Sequence, residues 1–153
     1  EETKLPEKDF PFPFRPVFIF NLLLALEILL FVLSFRNKKA YWKVYDKTWF
    51  IVAGIASVFL LFMWFGTDHL ATKSNWNLWW INPLFLIVVF PGSVNFKKWV
   101  FRLLTILLIL LIACWTLIPQ ELNLAFLPII LILILKCIRY GFPVFQGRLS
   151  QTQ

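Results

Sequence analysis

Five stretches of the chain are apolar for the thickness of a membrane, or nearly so, and short polar segments separate them. Residues 17–35 hold only Asn21 and Glu27 as strongly polar members. At about 1.5 Å per residue, a helix of that length spans roughly 28 Å, close to the ~30 Å hydrocarbon core of a bilayer. Residues 49–66 predict a second span and residues 78–91 a short third one. Residues 99–118 predict a fourth, with Arg102 one turn inside, and residues 123–138 a fifth, broken by Pro128 and ending in Lys136. The fold class this pattern predicts is all-α, a polytopic membrane bundle of about five helices. The third span is below the usual ~17 to 25 residues. A full crossing is preferred over a re-entrant segment, with a helix start at Asn82-Pro83, because Asn caps helix N-termini well and Pro suits the first helical position.

The positions of the cations orient the bundle. With the N-terminus outside, eleven of the fifteen Lys and Arg residues fall on the inside: Arg36, Lys38, Lys39, Lys43, Lys47, Lys97, Lys98, Arg102, Lys136, Arg139 and Arg148. Lys4, Lys8, Arg15 and Lys73 fall outside. The positive-inside rule therefore selects an outer N-terminus and a cytoplasmic C-terminus. Residues 1–16 become a periplasmic connector, stiffened by Phe10-Pro11-Phe12-Pro13-Phe14-Arg15-Pro16. Residues 17–142 form the transmembrane domain, and 143–153 a cytoplasmic tail.

Composition agrees with a bilayer as solvent. The chain is 60% hydrophobic, only 15% charged, and has a mean hydropathy of +0.77. Its net charge of +7 lies at helix ends, where it addresses topology and lipid headgroups rather than nucleic acid. Cys114 and Cys137 fall near opposite ends of different apolar segments, which disfavours a bond between them. No Cys/His cluster, nucleotide loop or nucleophile elbow is present, so neither metal nor cofactor is expected. The chain begins at Glu1-Glu2 with no initiator Met, as a processed chain or the C-terminal fragment of a longer protein would.

Candidate chemistry concentrates between the second and third spans, in the polar hairpin from Gly66 to Pro83, which holds the only histidine. A carboxylate beside an imidazole, as in Asp68-His69, can orient it or raise its pKa for general-base work. The competing reading is a helix-end hydrogen-bond network that closes the hairpin. Asn75, Asn77 and Asn82 can satisfy backbone groups freed at the membrane edge, or bind a headgroup or an amide. Trp76, Trp79 and Trp80 read first as an aromatic belt and second as an acyl-chain contact. Glu27, near the middle of the first span, is a functional candidate because an intramembrane carboxylate is costly. Its alternative is a protonated acid hydrogen-bonded to a neighbouring helix.

The run Thr67-Asp68-His69, then Thr72, Asn75-x-Asn77-Leu78-x-Trp80 and Pro83, with Arg15-Pro16 before the first helix, resembles the membrane region of Lnb-type bacterial lipoprotein N-acyltransferases. The resemblance covers roughly residues 13–91. It implies an inner-membrane location, a papain-like periplasmic domain upstream, and transfer of an acyl chain to the α-amine of a lipoprotein's N-terminal cysteine. The partners it implies are the phospholipid bilayer and a lipoprotein substrate. The expected site is Asp68 and His69 for catalysis, with Thr72, Asn75, Asn77, Trp80 and Glu27 contacting substrate. The alternative function is a non-catalytic anchor or scaffold subunit of an envelope complex.

Overall fold

A computed structural model describes residues 14–34, 41–66, 75–120 and 122–142. All regular elements among them are helical. Four are α-helices: α1 (Pro16–Ser34), α2 (Tyr41–Phe65), α3 (Val94–Ala113) and α4 (Leu127–Gly141). Short 3₁₀ helices occupy Trp76–Trp79, Pro83–Val88, Trp115–Leu117 and Leu124–Phe126. The windows Pro16–Leu33, Lys43–Phe65 and Leu124–Gly141 are long and apolar enough to cross a membrane. α3 has similar length but carries Lys97, Lys98 and Arg102 near its start.

The structure redraws several boundaries. The polar run 36–48, read from sequence as a loop, is helical from Tyr41, so α2 carries Tyr45, Asp46 and Lys47 on its first turns. Pro128 does not break the last span. It sits in the first turn of α4, where its missing N–H has no helical acceptor to lose.

The third apolar stretch forms no α-helix. Trp76–Val88 advances instead through two 3₁₀ helices joined by a turn. A 3₁₀ helix rises about 2.0 Å per residue against about 1.5 Å in an α-helix, so this segment reaches farther than an α-helix of the same length would. Its contacts trace a continuous path along α3. The Trp76 backbone N–H donates to Gln120 Oε1 at 2.8 Å, beyond the C-terminal end of α3. Trp79 Nε1 donates to the Leu107 carbonyl at 2.9 Å, within α3. Val88 then lies beside Val94 and Lys97, at the opposite end of that helix. The segment therefore runs antiparallel to α3 from one end to the other, the path of a crossing rather than of a re-entrant loop. Asn82 caps Pro83–Val88, its side chain accepting from the Leu84 N–H at 3.0 Å.

Phe50 joins four elements. It is fully buried, stacks on Phe85 at 5.6 Å, tilts against Phe101 at 4.8 Å and meets Tyr140 edge-on at 5.5 Å. One turn further along α2, Gly54 lets Pro83–Val88 close in: a Cβ there would lie 2.5 Å from Leu86 Cγ. Ser57 keeps this face of α2 narrow and returns its hydroxyl to the Gly54 carbonyl at 2.6 Å. No small-residue face stands out in the sequence, yet Gly54 and Ser57 supply one. Next to Phe101 and Tyr140, a Cβ on Gly141 would come within 3.1 Å of the Arg102 backbone N, and Arg102 Nε donates to the Gly141 carbonyl at 2.8 Å.

α1 packs on α4 and on the Leu124–Phe126 turn, and most of its other side chains are exposed. In lipid that exposed face costs nothing, since acyl chains solvate Leu and Phe as well as protein does.

Candidate functional site

Polar groups concentrate at two places, one at each end of the bundle. The first is a cap built largely by asparagines in the second half of the hairpin. Asn75 precedes a 3₁₀ turn, and its Oδ1 accepts from the Asn77 backbone N–H at 3.0 Å and from Asn77 Nδ2 at 2.8 Å. Asn77 Oδ1 in turn accepts from Trp80 Nε1 at 2.9 Å. Trp80 is buried, and its indole tilts against Phe126 at 5.2 Å, which stacks on Phe20 of α1 at 5.9 Å. Asn123 repeats the device across the cap, accepting from the Ala125 N–H at 2.9 Å. Short asparagine side chains suit these positions because they replace backbone acceptors that a 3₁₀ start leaves out. The relay Asn75–Asn77–Trp80–Phe126–Phe20 thus connects the base of the hairpin to the first helix.

Three of the residues assigned to chemistry, Asp68, His69 and Thr72, lie outside the described residues. Asn75, Asn77 and Trp80 are brought together, bonded in series. Glu27 is not with them: it joins a separate cluster, at the end of the bundle that carries Lys47 and Lys97.

That cluster is an ionic tetrad buried between α1, α2 and α4. Lys136 Nζ lies 2.8 Å from Glu27 Oε1 and 2.7 Å from Asp46 Oδ1. Tyr45 donates its hydroxyl to Glu27 Oε2 at 3.0 Å, and Arg139 approaches Asp46 Oδ2 at 3.4 Å. Every carboxylate oxygen of the pair therefore faces a donor. The Lys136 ammonium also sits 4.1 Å from the centre of the Tyr45 ring and 5.8 Å from that of Trp49. Glu27, Asp46 and Lys136 are each at most 2% exposed. Two acids and two bases leave the tetrad formally neutral, the condition under which charges are tolerated away from water.

The tetrad corrects two expectations. Glu27 is not a solitary intramembrane acid, since it has a lysine, a tyrosine hydroxyl and a second carboxylate around it. Lys136, read as the end of the fifth span and counted with the inside charges, is buried within α4, and removing it from that count leaves ten against four outside. Asp46 escaped notice because it was assigned to a loop. The signal was present: Tyr45 and Trp49 recur at helical spacing around it, just ahead of the apolar run 49–66. A cluster with every oxygen occupied works as a clamp. It has the chemistry to fix α1 against α2 and α4 rather than to shuttle protons.

A family model described as the Lnb transmembrane domain, a five-transmembrane-helix domain, matches residues 6–146. No curated protein and no solved structure matches the chain.

Proposed function

The chain belongs to the Lnb transmembrane domain family, and from that premise we propose that it serves as the membrane part of a bacterial lipoprotein N-acyltransferase. It presents lipid and lipoprotein substrates in the inner membrane to a periplasmic catalytic domain. In this reading Asp68, His69 and Thr72, which lie outside the described residues, carry the contact with substrate. The observation that supports the reading is the cap. Asn75, Asn77 and Trp80 bond in series and rest on Phe126 and Phe20, which gives the second half of the hairpin a rigid seat on the bundle. A site built on a rigid element holds its geometry better than one on a free loop.

The same observation also favours a second reading, a non-catalytic anchor or scaffold subunit of an envelope complex. The cap side chains bond to one another, as a structural clasp requires. His69→Ala in the intact protein separates the two, with N-terminal acylation of cellular lipoproteins read by mass spectrometry beside the thermal stability of the purified variant. The acyltransferase reading expects acylation to fall by about 10² to 10⁴ with stability retained. Normal acylation overturns a role for His69 in transfer. Joint loss of acylation and stability assigns the hairpin to the clasp.

A further inference from the structure

At the end of the bundle opposite the cap, α2, α3 and α4 leave a pocket between them. Lys47 of α2 and Lys97 and Lys98 of α3 line it, over a floor that includes Val88, Phe101 and Tyr140. The three lysines come from two helices and converge on one cavity. None has an ion-pair partner among the described residues, whereas Lys136 and Arg139 nearby are both paired. The closest acid in sequence, Asp46, is committed to those two cations. The first turn of α3 contains no acid either, although a helix start favours negative charge and disfavours lysine. Three like charges brought together without a counter-charge leave the pocket short of an anion.

The surroundings identify what kind of anion. Val94, which lines the pocket, is exposed, and so are Val89 and Phe90, which follow the lining residue Val88. A free phosphate gains nothing from such apolar surface. A lipid gains from both parts, its headgroup phosphate among lysines and its glycerol and acyl chains along aromatic and β-branched surface. The level is also right: lysine ammoniums at helix ends reach headgroup depth while their stems stay in apolar surroundings, and basic pockets between membrane helices are recognised binding places for anionic headgroups.

We propose that this pocket binds the phosphate of an anionic phospholipid at the basic end of the bundle, independently of the acyl-transfer chemistry at the cap. The lipid supplies the missing negative charge and wedges α2 against α3.

The test uses the purified chain in detergent, with phosphatidylglycerol and phosphatidylcholine of identical acyl chains as probes and lipid-bound species counted by native mass spectrometry. Phosphatidylglycerol is expected to be retained at least about tenfold better. Each lysine near a headgroup contributes roughly a fivefold factor, so Lys97→Gln lowers the preference about fivefold and the Lys47→Gln/Lys97→Gln/Lys98→Gln triple abolishes it. The matching Lys→Arg triple keeps both the charge and the preference, which separates lipid binding from a folding defect. Equal retention of the two lipids by the unaltered chain overturns the proposal. So does an equal loss from Lys4→Gln/Lys8→Gln/Lys73→Gln, which removes the same charge elsewhere and would reveal diffuse attraction. Displacement of phosphatidylglycerol by an equal concentration of glycerol phosphate would assign the pocket to a free anion and overturn the lipid.

Discussion

Lys136 of α4 lies 2.8 Å from Glu27 of α1, a residue 109 positions earlier in the chain. This contact and the Phe20–Phe126 stack hold the otherwise lipid-facing first helix to the bundle. Removing one partner strands the rest. Lys136→Met leaves Glu27 and Asp46 close together with only Arg139 against them, and is expected to destabilise the protein by about 3–5 kcal/mol. Glu27→Leu/Lys136→Met leaves the neutral pair Asp46–Arg139. It is expected to be at least about 2 kcal/mol more stable than Lys136→Met alone. Thermal unfolding in detergent of both single variants and the double variant measures the coupling, and strict additivity would contradict the clamp.

Glu27→Gln is the milder change. The amide oxygen still accepts from Lys136, and the lost charge leaves an excess of one cation in the tetrad. Stability falls by about 1–3 kcal/mol; on the acyltransferase reading proposed above, lipoprotein acylation is unaffected in the folded fraction. Loss of acylation at unchanged stability would give Glu27 a direct part in the chemistry.

Gly54 admits Leu86 because it has no Cβ: one placed there would lie 2.5 Å from Leu86 Cγ. Gly54→Ala is expected to cost about 1–3 kcal/mol by overpacking, despite the gain in helix propensity. Leu86→Ala should relieve part of that cost, so the double variant is more stable than the sum of the singles implies. Unfolding midpoints of the four proteins complete the cycle.

In the cap, Asn77→Ala and Trp80→Phe each remove the bond between Asn77 Oδ1 and Trp80 Nε1. Either change is expected to cost about 1–3 kcal/mol. Because they break the same contact, the double variant should be barely worse than the worse single one. A fully additive loss would mean the two side chains act separately.

The path of Trp76–Val88 along α3 places Lys98 at the same end of the bundle as Lys47. Cysteines at positions 43 and 98 should therefore be labelled from the same side of the membrane, the cytoplasmic side, and a cysteine at 73 from the other. Labelling of position 98 together with 73 would restore the re-entrant topology.

Local pattern determined much of this protein. Long apolar runs have one solvent in which they are stable, and a backbone in that solvent must satisfy its own hydrogen bonds, so helices near 17–35, 49–66, 99–118 and 123–138 could be read directly, although α2 starts at Tyr41 and α3 at Val94, ahead of the apolar runs. Asn82-Pro83 was legible as a helix start because a cap is made by neighbours in sequence. The hairpin could be singled out as polar because its residues are contiguous.

Tertiary structure decided what depends on distant parts of the chain. Hydropathy assigns a lysine in an apolar run to a helix end, because it counts no partners. Only the packing of α1, α2 and α4 brings Glu27, Asp46 and Lys136 together, over separations of 90 and 109 residues, and with Arg139 turns four costly charges into a neutral clamp. The 3₁₀ course of Trp76–Val88 was equally hidden. Its composition permits an α-helix, but a short segment must reach from Gln120 to Lys97 while fitting against Gly54, and the faster rise of the tighter helix meets that length.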